Sequence, residues 1–140
     1  MTARTPAPTP IDLFSAAVHV GPDGGVTAGE RRMTAGRPGS WQLAAFHAAT
    51  DAEVHADHWE MHPAADELVC VLTGEVRFFL RPDAPNEPQE PVTLTSGTAV
   101  VVPRGRWHRM EIDGPVRLLS LSPREGTRLE PVAAAPSDRG

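Results

Sequence analysis

The sequence predicts an all-β fold, an antiparallel sandwich or barrel, and three observations predict it. Fifteen prolines and twelve glycines punctuate the 140 residues, too often for long helices. The stretches between them are short and rich in Val, Leu, Thr and Phe, and several alternate apolar with polar at a period of two. About nine such stretches follow one another with turn signals between them, the spacing of an antiparallel sandwich or barrel. Helical periodicity is limited to a single turn near the start.

Residues 1–10, MTARTPAPTP, read as a flexible N-terminal arm. Residues 11–20 hold the first strand and run into the turn GPDGG. Residues 40–47 place Trp41, Leu43, Ala45 and His47 on one face. Residues 54–62 alternate and are polar. Residues 67–73 are apolar on both faces, as in a strand packed on two sides, and Cys70 within them reads as a small buried hydrophobe. Residues 75–80 follow a hairpin centred on Gly74. Residues 82–91 are acidic and proline-rich, which excludes a central strand. Strands at 92–95, 98–102, 108–112 and 116–121 complete the set, the last two joined by the turn Asp113-Gly114-Pro115. One domain over residues 11–125 is expected, with a flexible tail at 126–140.

Charge and composition narrow the function. Apolar residues make up 40% and charged residues 22%, ordinary values for a globular chain. A formal charge of −5 argues against a nucleic-acid partner, which needs a basic face. No apolar run approaches the roughly 20 residues that span a bilayer, so no membrane partner is expected. The start has no apolar leader, and the lone Cys70 cannot form an internal disulfide. The expectation is a cytoplasmic protein.

Potential metal ligands concentrate in two regions. In His55-Ala-Asp-His58-Trp59-Glu60-Met61-His62, strand alternation puts His58, Glu60 and His62 on one face. A short turn at 63–66 then lets Glu67 open the next strand beside His62. In Pro103-Arg-Gly105-Arg-Trp107-His108, a turn delivers His108 to the start of another strand. Imidazole and carboxylate together suit Fe, Mn, Ni, Cu or Zn better than Ca or Mg. His19, His47 and His55 read as surface or hydrogen-bonded residues.

These two regions resemble the cupin family, whose motifs are G-x5-H-x-H-x3-4-E-x6-G and G-x5-P-x-G-x2-H-x3-N. His62, four residues, Glu67, six residues and Gly74 match the second half of the first motif. Gly97, five residues, Pro103, one residue, Gly105, two residues and His108 match the second through its histidine. The resemblance spans residues 40–122 and implies a jelly-roll barrel with His62, Glu67 and His108 as metal ligands on its inner wall. Glu60 stands where the first motif histidine would be, and Ile112 replaces the last asparagine. Glu60 is therefore a fourth, carboxylate ligand, or a general base above an open two-histidine, one-carboxylate site. His58 is a candidate pocket residue on the same face.

By parity Val69 and Val71 face inward with Glu67. Val100 and Val102, or Ala99 and Val101, line the opposite wall, with Phe78 or Phe79 adding bulk. The expected cavity is apolar with a polar, metal-bearing mouth, fit for a small organic molecule. Arg77 and Arg109 are candidates to steady a carboxylate only if they face inward, and Trp59 and Trp107 read as packing residues. The first functional expectation is an enzyme with oxygenase-type or isomerase/lyase-type chemistry, holding one divalent transition metal ion. The second is a small-ligand binding or sensing module on the same barrel. A metal-free epimerase-like barrel would need a His/Tyr pair, and the chain has no tyrosine. A homodimer through the edge strands is expected from the resemblance and from the edge that such a sheet exposes.

Overall fold

A computed structural model of the chain describes residues 7–84 and 86–132. The expected arm and tail fall partly outside these limits, at 1–6 and 133–140. Eleven strands are present among the described residues: β1 (Ala17–Val20), β2 (Val26–Gly29), β3 (Trp41–Ala48), β4 (His58–Met61), β5 (Glu67–Thr73), β6 (Glu75–Leu80), β7 (Val92–Thr95), β8 (Ala99–Val102), β9 (His108–Glu111), β10 (Val116–Ser122) and β11 (Arg128–Pro131). A single 3-10 turn over Asp51–Val54 precedes β4. No helix among the described residues is long and apolar enough to cross a membrane.

The strands form two antiparallel sheets, one of six strands in the order β2-β1-β3-β10-β5-β8 and one of five in the order β11-β4-β9-β6-β7. Inward side chains from both meet in one core that includes Val69, Val71, Phe78, Val102, Ile112 and Leu118. This is the all-β antiparallel sandwich the sequence predicts. Parity resolves the open choices. Glu67, Val69 and Val71 are buried together on β5. On β8 it is Val102 that is buried, with Val101 60% exposed. Phe78 joins the core, while Phe79 lies on the outer face under the Arg109 guanidinium, 4.1 Å from its ring centroid.

Several expectations need correction. Val26–Gly29 forms a strand that the sequence does not signal; it is short, ends in glycine and is largely exposed, so it carries no alternation to read. The domain does not stop at 125: Arg128–Pro131 pairs with β4 in the register Arg128↔Met61 to Pro131↔His58. This strand is exposed along its length and ends in proline, which is why composition alone reads it as tail. Trp41, Leu43, Ala45 and His47 share a face as expected, and it is the outer one. The inner face of β3 carries Gln42, Ala44, Phe46 and Ala48. Cys70 lies on the outer face and is only half-buried, where burial pushes its thiol up from the ordinary value.

Candidate metal centre

Three local devices aim the site. β4 and β9 pair at Glu60↔His108, so alternation turns both side chains inward at neighbouring points of one sheet. His62 lies one residue past the end of β4, and the turn that follows returns the chain into β5 at Glu67, on the facing sheet. Gly105, at φ +80°, lets the loop before His108 fold back so that its N–H donates to the His62 carbonyl at 2.9 Å. The Arg104 N–H donates to Asp66 Oδ1 at 2.8 Å. These two bonds tie the two loops together. A side chain at position 105 would strain this left-handed backbone.

Four donor side chains converge: one ligand-type atom from each of Glu60, His62, Glu67 and His108 lies within 4.8 Å of the others. His62 Nε2 is 3.1 Å from Glu60 Oε1 and 3.1 Å from Glu67 Oε2. His108 Nε2 is 3.0 Å from Glu67 Oε1 and 3.5 Å from Glu60 Oε1. His62, Glu67 and His108 are buried, whereas the Glu60 side chain keeps 21% of its surface. Phe78 stacks on the His108 ring at 5.7 Å.

The imidazole tautomers are set from behind. His108 Nδ1 lies 3.2 Å from the Arg106 carbonyl, which can only accept, so Nδ1 carries a proton and Nε2 is the nitrogen turned to the carboxylates. His62 Nδ1 lies 2.9 Å from Thr127 Oγ1. That hydroxyl donates to the Pro123 carbonyl at 3.3 Å and so accepts from Nδ1. When each ring gives up its second proton, its Nε2 lone pair faces the space between the carboxylates, the arrangement that orients histidines toward a metal. His62 Nε2 is buried there without a hydrogen-bond partner, although carboxylates flank it. This orphaned atom and the two-imidazole, two-carboxylate donor set fit a divalent transition ion.

Electrostatics points the same way. Burial works against charge on His62 and His108, but the carboxylates of Glu60 and Glu67 outweigh it; both imidazoles are raised, His108 to about 10. Burial likewise opposes ionisation of Glu67, yet His108 and His62 hold it down at about 2. Glu60 is lowered well below the carboxylate range by His108, His62 and Arg124 against the same burial. The two carboxylates concentrate negative charge that favours a further cation, proton or metal, beside Arg124.

The other candidates are placed as follows. His58 is half-buried, bonds Asp57 Oδ1 at 2.9 Å and lines the cavity without joining the donor cluster. His19 bonds the Glu30 carbonyl, and His47 stacks on Phe14. Arg77 faces out and pairs with Glu111 and Asp113. Arg109 covers Trp59 and Phe79 on the outer face, and Arg81 covers Trp107. Both tryptophans are packing residues. Ile112, in place of the motif asparagine, is a core residue, 5% exposed. Sequence reasoning missed Arg124 and Thr127. Both follow β10, where no strand pattern or ligand spacing marks them.

A cavity of about 400 Å³ opens onto the cluster, lined by Phe46, Val69 and Met110 on its apolar side and by His58, Ser120 and Arg124 on its polar side. It lies in the size range of small-molecule pockets, roughly 300–1,000 Å³.

A family model described as a cupin domain matches residues 47–122, more than half of the chain. No functionally curated protein matches the sequence. Among solved structures, the chain is similar to hydroquinone 1,2-dioxygenase PnpCD in complex with Cd2+ and 4-hydroxybenzonitrile. The identity is 25% over 59% of this chain and 57% of that one, with a TM-score of 0.44. It is similar to hydroxypropylphosphonic acid epoxidase from S. wedmorenis in complex with fosfomycin, at 20% identity over 59% of this chain and 43% of that one, with a TM-score of 0.48. It is also similar to a cupin-2 domain containing protein from Shewanella frigidimarina NCIMB 400, at 19% identity over 67% of this chain and 84% of that one, with a TM-score of 0.45. The chain spans about half the length of the first two proteins.

Proposed function

The chain belongs to the cupin family, and on that premise we propose that it is a mononuclear metalloprotein acting on a small organic molecule. Glu60, His62, Glu67 and His108 would hold one divalent transition ion, Fe, Mn, Ni, Cu or Zn. The observation that carries this reading is the convergence of four donors whose two imidazoles are both held from behind with Nε2 turned inward. Bound there, such an ion supplies Lewis-acid or redox chemistry. The chain's own residues do the rest. Phe78 and the facing aliphatic wall exclude water from the buried side. Thr127 and the Arg106 carbonyl orient the imidazoles. Glu60, the more exposed carboxylate, is the group placed to take a proton from a guest in the cavity. The proposed reaction class is oxygenase-type or isomerase/lyase-type.

The reading extends to the chain's setting. The half-buried lone Cys70 suits a reducing cytoplasm. A homodimer is supported by the outer face of the six-stranded sheet. There the register aligns Ala28, Val18, Leu43, Leu121, Leu68 and Val101 across all six strands, an apolar row where a solvated face would be polar.

X-ray absorption at the metal edge of the loaded protein tests the site: two imidazole rings per ion are expected, and none in His62→Ala plus His108→Ala. A spectrum without imidazole scattering in the unaltered protein contradicts it. A sensing module is the second reading, favoured only by the small cavity. Incubation under air with diketone, flavonol, thiol and sugar-phosphate panels separates the two, since a module binds without product.

A further inference from the structure

One cationic group in the same cavity has no role so far. Arg124 follows β10, is 9% exposed, and lines the cavity beside Glu60, Glu67 and His108. Its Nη1 lies 3.2 Å from Glu60 Oε2 and 3.5 Å from the Met33 carbonyl. Its Nη2 is 3.9 Å from Glu67 Oε2, beyond hydrogen-bond reach. Its Nε is buried without a partner. A guanidinium has five N–H donors in a fixed fork, and this one is under-satisfied where water is scarce.

The charge count makes the same point. Two carboxylates and a divalent ion sum to zero, and the neutral imidazoles add nothing. Arg124 then leaves one positive charge in a largely buried space. Glu53, the other carboxylate on the cavity wall, is turned to the Ala49 N–H and the Thr50 hydroxyl. Arg31, its donors taken up by the Leu13, Phe14 and Ala45 carbonyls, keeps its positive charge, which offsets that of Glu53 in the count. Arg124 pairs with Glu60, but that carboxylate is shared with the ion, and excess buried charge is unfavourable unless something neutralises it.

We propose that the guest of this cavity is a small organic monocarboxylate, held at its carboxylate by Arg124 beside the ion. This rests on the metal-site reading given above. Glu60 uses Oε1 toward the imidazoles and Oε2 toward Nη1, which leaves Nη2 for the guest. One negative charge balances the site, whereas a phosphate dianion exceeds the balance. The apolar remainder of the guest has Phe46, Val54, Val69, Met110 and Leu129 to lie against. A guanidinium that merely braced Glu60 would not distinguish a carboxylate from its amide.

Calorimetric titration of the Mn2+-loaded full chain with 3-phenylpropanoate, 3-phenylpropanamide and phenyl phosphate tests this, with metal content measured on each sample. The acid should bind roughly 10- to 100-fold more tightly than the amide, the range of a charge-assisted hydrogen bond, and more tightly than the phosphate. In Arg124→Gln the acid should fall to within about twofold of the amide, with Arg124→Lys between, on variants shown to be folded by thermal unfolding. Equal affinity of acid and amide in the unaltered protein overturns the proposal and needs no variant. So does an acid preference that survives undiminished in Arg124→Gln, or a phosphate that binds best. One Mn2+ per chain with no acid preference overturns the carboxylate assignment alone; no Mn2+ uptake overturns the metal site with it.

Discussion

Thr127 holds His62 Nδ1 at 2.9 Å and thereby decides which nitrogen faces the carboxylates. Thr127→Val keeps the shape and removes the acceptor. The expected outcome is a 10- to 100-fold loss of metal affinity in competition with a chelating dye, with the fold intact by circular dichroism. The raised imidazoles give a second prediction. His108, at about 10 without metal, is protonated at pH 8, where an ordinary histidine near 6.5 is almost entirely neutral. Loading an ion expels that proton, so titrations at pH 8 in two buffers of different ionisation enthalpy should report about one proton or more released per ion. The metal-free protein follows the sign of the same shifts. The His108 contribution to stability is complete below about 6.5 and is lost as pH rises through about 10. The Glu67 contribution is complete above 4.5 and is lost as pH falls through about 2. Denaturation of the metal-free chain should therefore show these contributions together between about pH 4.5 and 6.5. His62, Glu67 and His108 were legible in the sequence because fixed spacing within strand and turn signals marks them. Glu60 was legible by alternation. Arg124 and Thr127 were not, since only the fold brings that stretch of chain under the site.

At the level of elements, the tight hairpin between β5 and β6 depends on Gly74, at φ +96°. A Cβ there would stand 2.7 Å from the Pro115 carbonyl oxygen and 2.8 Å from a Val116 methyl, atoms that cannot both retreat. Gly74→Ala should cost about 1–3 kcal/mol in urea denaturation, whereas Gly114→Ala, which meets nothing within 4 Å, should cost far less. β11 is the instructive miss. Arg128-Leu-Glu-Pro131 has neither burial nor a turn signal, and its strand character comes from pairing with β4. Ending the chain at 125 would remove that pairing together with Thr127. Such a chain should unfold at lower temperature and bind metal more weakly; an unchanged melting temperature would show that β11 adds nothing. The β5, β8 and β10 strands were readable because each is a short run rich in apolar residues bounded by turn signals. β2 and β11 lie at sheet edges, bury little, and have no such run.

For the whole molecule, the two sheets meet at the site: Glu60, His62 and His108 come from the β4 and β9 side, and Glu67 from the facing sheet. An ion that bridges them binds the folded chain and not the unfolded one, so chelation should lower the melting temperature and metal should restore it. The apolar outer row bears on assembly. Val101 and Leu72 are 60% and 42% exposed, and Val101→Glu with Leu72→Glu should convert a dimer to a monomer by light scattering with metal content unchanged. A fold class and an inward wall follow from periodicity, but the outer face has no such guide, because a covered sheet and a core strand read alike. The most direct test of the whole account is metal content by mass spectrometry, on protein purified without added metal. About one transition ion per chain is expected in the unaltered protein, falling to near zero in His62→Ala plus His108→Ala; undiminished metal in the double variant would contradict it.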